Sequence, residues 1–459
     1  MRIAVCVRQG LDGELNPFDA SAYEIALSEA GAEVILISMG VPKTADLLLH
    51  LTRLGASRAV LLSDPLFAGS DTLATAYVLS RAMEKLKPDR ILCGRKTLIG
   101  DTGQVPPMLA EMAGYEFLPD VLTVADGNAV TREGNRRLPP RALLAAEKQA
   151  VLRLPSLLSR VGTVETWNAA DIGADPMRCG LNGSPTRVLE TRENTAGRRK
   201  CRILQLRDLP EILAEALRER REQSAPQGNG EKLPCVLSVG SEAMSFARTV
   251  CDNPQEIPVC SASELAEVIA QKKPDAVLFG NDPASRETAA RLAAREKLGL
   301  CADCTAVTAE DGRAVLYRPA LSGSLIAKIV SETTPALATV RCRTEQSASL
   351  IVAAGYGVRK QLDAMRAMAT RLGADFAVSR KLVDGGFAPY REQVGLTGKT
   401  VSPAVYLAVG ISGAVHHLAG MDRSGTVIAV NPDPHAPIFD YADYGIRCSF
   451  EELEDLYHA

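Results

Sequence analysis

Aromatic residues are scarce in this sequence, 4% of 459, with a single tryptophan. Positive charge is not in excess either. The formal net charge is −3, so no basic footprint points to nucleic acid. No run approaches the roughly 18 apolar residues of a membrane span. The opening "MRIAVCVRQG" lacks signal-peptide architecture. Eleven cysteines, an odd number, read as reduced thiols. A cytoplasmic protein is expected. Cys301 and Cys304 form the one CxxC, and no second pair or CxxH partner completes the roughly four ligands of a metal site. They read as buried core thiols. Only five histidines occur.

What is present is alternation. Apolar β-rich runs such as "RIAVCV", "AEVILISMG" and "DRILCG" alternate with amphipathic stretches such as "DTLATAYVLSRAMEKL". Continuous apolar strands separated by helices predict parallel sheets covered on both faces, the doubly wound α/β class. The chain exceeds the roughly 250–300 residues one core serves. The pattern restarts at "LPCVLSVGS" and at "ASLIVAAGYGV". Domains are expected at 1–183, 231–343 and 344–459. The polar stretches "ETRENTAGRRK" and "RERREQSAPQGNGEK" mark 184–230 as an exposed arm and linker.

In the last domain three strand ends attract chemistry, because ligands of open parallel sheets bind at the carboxyl ends of strands. "IVAAGYGV" ends in Gly355, Tyr356 and Gly357; "AVYLAVGISGAVHH" runs through Gly410 and Gly413 into a helix; "TVIAVNPDP" ends with Asn431 and Asp433. The glycine turn before a helix start suits an anion such as phosphate, and Ser412 adds a hydroxyl. His416 and His417 are adjacent, hence about 100° apart on a helix, so only one faces the crevice and the pair cannot share a metal. The loop "YREQVGLTGKTVSPAVY" could carry Thr397 and Ser402 toward a ligand.

These stretches resemble the flavin-binding domain of the electron-transfer flavoprotein alpha subunit. "SRKLVDGG", "EQVGLTGKTVSPAVYLAVGISGAVHHLAGM" and "VIAVNPDPHAPIFDYADYGI" carry the likeness. The first part resembles the family's beta subunit through "NPFDASAYEIAL", "DPLFAGSDTLATAYVLS", "GDTGQVPPMLAE" and "CGLNGSPTRV", and the middle resembles the alpha subunit's first domain through "ADCTAV". The resemblance implies a natural fusion, beta-type part first. The last domain would be flavodoxin-like and hold FAD. Thr397 would donate to the flavin N5. His417 would sit at O2 and stabilise negative charge. Ser412, with the backbone of Gly410, Ile411, Gly413 and Ala414, would hold the pyrophosphate. Gly355, Tyr356, Gly357, Arg380, Gln393, Val394, Gly395, Gly398, Ser402, Asn431, Asp433, Asp443 and Tyr444 would line the remainder.

The resemblance also implies a second nucleotide, FAD or AMP, in the first domain. Its residues would be Cys6, Val7, Arg8, Asn16, Ser70, Asp71, Thr72, Gly100, Asp101, Thr102, Gly103 and Gln104. The residues alone equally allow two ordinary capped helices. Three departures stand out. Tyr356 replaces a family arginine, which implies a lower flavin potential; Leu396 replaces a glutamine; Ile99 stands where electron-bifurcating members often have aspartate. The implied function is electron shuttling, with no nucleophile or general acid, between an acyl-CoA dehydrogenase-type flavoprotein and another redox protein. One alternative is an NADH-oxidising bifurcating enzyme, and another is a redox-silent nucleotide-binding module. Leu154 to Trp167 loosely aligns with the family's docking segment.

Overall fold

The computed structural model describes residues 1–10, 13–97, 100, 102–131, 134–193, 199–218, 230–320, 325–341, 349–395, 398–399, 401–422 and 424–458, without the side chains of 193, 415, 416, 419, 457 and 458. The chain divides into two compact units: Met1–Thr191 with Gln227–Arg318 and Ala327–Cys342, and Arg192–Pro226 with Pro319–Ile326 and Arg343–Ala459.

The first unit opens with nine strands: β1 (Arg2–Cys6), β2 (Glu33–Met39), β3 (Arg58–Leu62), β4 (Arg90–Gly94), β5 (Glu116–Ala125), β6 (Asn128–Thr131), β7 (Gly134–Arg137), β8 (Ala142–Ala146) and β9 (Val164–Trp167). Their order is β7-β6-β5-β8-β4-β1-β2-β3-β9, parallel except for the β5-β6-β7 meander. Continuous apolar strands arise because both faces are buried. In β1, Ile3 and Val5 join Leu36 and Leu92 in one core, while Ala4 joins Ile35 and Ile91 in another. Each such buried Val, Leu or Ile contributes roughly 1.5–3 kcal/mol. Helices α1 (Pro17–Ser28), α2 (Thr44–Thr52), α3 (Thr72–Leu86) and α4 (Val105–Ala113) accompany this sheet.

A five-stranded parallel sheet follows, from β12 (Val236–Val239), β13 (Gln255–Ile257), β14 (Ala276–Phe279), β15 (Leu300–Cys304) and β19 (Ala336–Val340), in the order β15-β19-β14-β12-β13. That order matches β5-β8-β4-β1-β2 strand for strand. Details repeat too. Asp120 and Asp303 both take left-handed φ, +52° and +58°, where the pairings of β5 and β15 shift register. Asp126-Gly127 and Asp311-Gly312 both make two-residue hairpin turns with positive φ. Helices α6 (Met244–Val250), α7 (Ala262–Lys272) and α8 (Pro283–Glu296) serve this sheet. Cys301 and Cys304 are buried on β15. Before residue 343 the chain also forms β17 (Arg313–Ala320) and β18 (Leu325–Ser331). With β10 (Thr186–Glu193) and β16 (Ala306–Glu310), β17 and β18 make a four-stranded sheet, β10-β18-β17-β16.

The second unit carries six strands, β11 (Arg202–Leu204), β20 (Leu350–Ala354), β21 (Asp375–Val378), β22 (Val405–Val409), β23 (Thr426–Val430) and β24 (Tyr444–Ile446). They are all parallel, in the order β11-β24-β23-β22-β20-β21. Its helices are α5 (Leu209–Arg218), α9 (Leu362–Arg371), α10 (Arg380–Asp384), α11 (Val415–Met421) and α12 (Phe450–His458). The α/β parallel-sheet expectation holds. The arm reading of 184–230 needs a correction. Within it, β11 joins the sheet and α5 buries Leu209, Leu213 and Ala216 in the same core as Val352, Leu407 and Ile428. The pattern "LPEILAEALR" has the i, i+3, i+4 apolar spacing that makes this possible. The polar stretches first noticed fall largely on 194–198 and 219–229, outside the described residues. No helix among the described residues is long and apolar enough to cross a membrane.

Candidate functional site

Each parallel sheet has a place where the strand order reverses. In the second unit the chain passes from β20 to β21 on one side and from β22 through β23 to β24 on the other, so the crevice opens between β20 and β22. The carboxyl ends of these strands meet directly. The Gly355 N–H donates to Val409 O (2.8 Å), Gly410 N–H to Val430 O (2.9 Å) and Asn431 N–H to Ile446 O (3.1 Å). A Cβ at 355 would collide with the Gly410 carbonyl, and one at 413, where φ is +91°, with the Ile438 backbone. Glycine at both positions follows from this contact of backbones.

Around this edge the structure gathers Gly355, Tyr356, Gly357, Arg380, Gln393, Val394, Gly395, Gly398, Gly410 to Ala414, His417, Asn431 and Asp433. Val394 N–H donates to Val378 O (3.0 Å), which brings residues 393–395 to the end of β21. Gly420 on α11 packs against the Gly395 backbone. Asn431 Nδ2 donates to Ile411 O (2.9 Å), and its Oδ1 accepts from Asp433 N (3.0 Å). Ser412 is exposed, and Ala414 at the N-cap leaves α11 with no side-chain cap. Ser402 lies short of the first residue of β22. Asp443 and Tyr444 stand at the opposite, amino end. There Asp443 pairs with Arg199 and accepts from Val427 N (2.9 Å). The strand's carboxyl end instead leads to Ser449, whose N–H donates to Glu452 (2.8 Å). Thr397 and Leu396 lie outside the described residues, as does the side chain of His416.

His417 is buried, and Tyr406 on β22 is fully so. His417 Nε2 and the Tyr406 hydroxyl are 3.0 Å apart, while Nδ1 has no hydrogen-bond partner. Burial pushes the imidazole down to about 4, against a smaller opposing pull from the Val394 backbone, so the ring is neutral at pH 7. Burial pushes the Tyr406 phenol up. An unpaired buried ring nitrogen and an uncapped helix start fit a polar, anionic group. Tyr356 is 41% exposed. The Arg359 guanidinium lies 4.8 Å and the Lys381 ammonium 5.7 Å from its ring centre. Positive charge therefore flanks the position that itself carries none.

In the nine-stranded sheet of the first unit the reversal falls between β1 and β4, and in the five-stranded sheet between β12 and β14. Arg8 and Asn16 follow β1; Gly100, Thr102, Gly103 and Gln104 follow β4. Cys6 sits opposite Cys93 on the neighbouring strand, and Val7 is buried. The sequence reading missed Asp19, which closes the crevice floor. Its carboxylate accepts from Arg8 N (2.8 Å) and Gly94 N (3.0 Å). Burial, against these hydrogen bonds, raises its pKa to about 7. An acid in the first turn after Asn16-Pro17 was the available signal. Ser70 bonds within its own turn, to Phe67 O (2.8 Å). Asp71 caps α3, accepting from Leu73 N (2.9 Å) and Ala74 N (3.0 Å), and also binds the Thr186 hydroxyl (2.7 Å). That helix start is already neutralised. The start of α4 is not: Gln104 at its N-cap makes no side-chain cap. Gln104 Oε1 accepts from Thr72 Oγ1 (2.8 Å), but its Nε2 is buried and unpaired, as is Asn16 Oδ1. Arg318 reaches the same loop, donating to Gly100 O (2.8 Å). Asp101 and Ile99 lie outside the described residues. The orphaned amide groups fit a polar ligand with both donors and acceptors, such as a nucleotide.

Comparison with known proteins bears on both crevices. A family model described as electron transfer flavoprotein domain matches residues 3–136 and 251–355, and one described as electron transfer flavoprotein FAD-binding domain matches 346–422. The chain is 35% identical over 231 residues to the electron transfer flavoprotein subunit alpha of Thermoanaerobacterium thermosaccharolyticum, covering 40% of this chain and 70% of the relative. It is 32% identical over 304 residues to the acryloyl-CoA reductase electron transfer subunit beta of Anaerotignum propionicum, covering 47% and 83%. It is 34% identical over 237 residues to the lactate dehydrogenase (NAD(+),ferredoxin) subunit LctC of Acetobacterium woodii, covering 42% and 57%.

Proposed function

The chain belongs to the electron transfer flavoprotein family, and on that premise we propose that it carries electrons between a dehydrogenase of the acyl-CoA type and a second redox protein. The observation that carries this reading is the β20–β22 crevice beneath the FAD-binding match, with its contacting glycine backbones and unpaired His417 Nδ1. Bound FAD would supply reversible uptake and release of electrons. The chain's part is to hold and tune it. The 410–414 loop and the uncapped α11 start would receive the pyrophosphate. Thr397 is proposed at N5 from the family resemblance. When the Tyr406 hydroxyl donates to Nε2, the His417 proton stays on Nδ1, and the ring acts as a neutral donor rather than a fixed cation. Tyr356 in place of arginine would lower the potential, which Arg359 and Lys381 would partly offset. Redox titration checks this: Tyr356→Arg should raise the potential, and an unchanged potential counts against a role for position 356.

The fusion reading has support from a two-part electron transfer flavoprotein domain match and two sheets that share a five-strand order. In it a beta-type part, 1–183, precedes alpha-type parts, 231–343 and 344–459, and covalent linkage makes their association intramolecular. For partner docking, Leu154, Leu157 and Leu158 are 89%, 102% and 90% exposed, with Val151 and Val161 also exposed. Five exposed apolar side chains in one loop are unusual without a partner.

A second reading, NADH oxidation with electron bifurcation through a second FAD, has its own motivation. One relative's name includes NAD(+) and ferredoxin, and the β1–β4 crevice holds orphaned Asn16 and Gln104 groups. An absorbance spectrum with acid-released nucleotides counted separates the cases. One FAD plus AMP, without NADH bleaching, supports the shuttle. Two FAD with rapid bleaching by NADH supports bifurcation. A colourless protein that FAD cannot reconstitute supports a redox-silent module and overturns both.

A further inference from the structure

A cleft of about 670 Å³ opens along α3 and α4 of the first unit. Lys87, Pro88 and Asp89 precede β4, Tyr115 precedes β5 and Arg141 precedes β8, so the cleft lies at the amino ends of the strands. It is thus at the other end of the sheet from Arg8 and Gln104. Its walls carry four cations, Arg81, Lys87, Arg141 and Arg178, against two acids, Glu84 and Asp89. Both acids are engaged. Glu84 pairs with Arg81, and Asp89 accepts from the Arg2 backbone N–H (2.7 Å).

Arg141 and Arg178 are held without a counter-charge. The Arg178 guanidinium lies 3.9 Å from the Tyr77 ring centre, and that of Arg141 lies 4.5 Å from the Tyr115 ring centre. Both rings are fixed: Tyr77 Oη accepts from Asp175 N (2.9 Å), and the Tyr115 hydroxyl donates to Pro88 O. No carboxylate among the described residues forms an ion pair with Arg141, Arg178 or Lys87. Arg81 Nε is buried with no hydrogen-bond partner. A guanidinium stacked face-on keeps its edge N–H groups available, in the planar fork that binds phosphate oxygens in pairs. Prior ordering on the ring lowers the entropy cost of capture.

We propose that this cleft binds a small phosphorylated anion. Arg141 and Arg178 clamp the phosphate, Lys87 adds charge, and Met83 and Met112 offer apolar surface to the rest of the ligand. The volume falls within the roughly 300–1,000 Å³ range of small-molecule sites, which favours a metabolite over a protein segment.

The test is isothermal titration calorimetry of the protein, saturated with FAD and AMP, with inorganic pyrophosphate. Saturable binding is expected, weakened about tenfold or more, roughly 1.4 kcal/mol, in Arg141→Gln and Arg178→Gln. Those variants keep a planar group on each ring, and an unchanged melting temperature guards against misfolding. Lys43→Ala, outside the cleft, should bind like the parent. Absence of saturable binding at millimolar pyrophosphate overturns the proposal. So does equal affinity in the Arg141→Gln/Arg178→Gln double variant. Binding of polyglutamate but not pyrophosphate also overturns it, in favour of an acidic protein partner.

Discussion

The starts of α4 and α8 occupy the same step in two sheets that share a five-strand order, and they differ. Between β4 and α4 run residues 95–104; between β14 and α8 run only 280–282. The short connection ends in Asp282, whose carboxylate caps α8 by accepting from Ser285 N (3.0 Å). The long connection ends in Gln104, which leaves α4 without a side-chain cap and its own Nε2 unpaired. The N-terminal sheet also carries a buried acid, Asp19, across the ends of β1 and β4. In the other sheet β12 passes through Gly240 (φ +74°) straight into a short helical turn. One framework therefore yields an uncapped helix start and a self-satisfied one. The difference lies in loop length and one carboxylate.

The comparison can be broken most directly at the cap. Gln104→Asp gives α4 the carboxylate that α8 has. If the β1–β4 crevice holds AMP as proposed, the change should weaken that binding about tenfold or more through like-charge repulsion, while FAD retention in the second unit stays unchanged. Counting acid-released nucleotides reads both; equal loss of both would break the argument.

A second measurement sharpens the contrast between buried groups. The folded pKa of Asp19 is raised from 3.8 to about 7. The stability linked to it is thus present below about pH 4 and lost as pH rises through 7. His417 is depressed from 6.5 to about 4, so its linked stability is present above 6.5 and lost as pH falls through 4. The two slopes have opposite sign. In urea titrations from pH 4 to 8, Asp19→Asn should steepen the loss on acidification, and His417→Gln should flatten it.

Tyr406→Phe should cost about 1–3 kcal/mol by leaving His417 Nε2 unpaired, and it should raise or lower the flavin potential as the imidazole reorients. An unchanged potential would confine Tyr406 to structure. Smallest is Asp282→Ala, which should cost about 1 kcal/mol as an ordinary lost cap. The measurement is a denaturation midpoint; nucleotide content should not change.

Much of the fold was legible because burial on both sheet faces writes itself as unbroken apolar strands, as in "RIAVC" and "LIVAA". The strand-end glycines were legible because close backbone approach tolerates no Cβ. Asp71 was ambiguous for a physical reason. The same residue type serves a phosphate loop and an N-cap, and only the 2.9 and 3.0 Å bonds to Leu73 and Ala74 show its carboxylate engaged as a cap. Asp443 and Tyr444 were expected at the flavin edge from the family resemblance, yet Tyr444 opens β24 and Asp443 precedes it, at the amino end. A tripeptide strand reverses which end a residue faces within two or three positions. The arm failed similarly. Its charged flanks dominate the composition, while the amphipathic turn pair between them carries the packing.

By itself the sequence determined the class of sheets and the glycine-rich edge, because these rest on local periodicity and on residues that fit only one backbone geometry; the family came from the resemblance of its motifs. Tertiary structure alone decided which histidine nitrogen is unpaired, that Asp19 bridges two strand ends and is raised to about 7, and that Arg141 and Arg178 lie on tyrosines without counter-charges. Those properties depend on desolvation and on partners far apart in the chain, and no local pattern of residues encodes either.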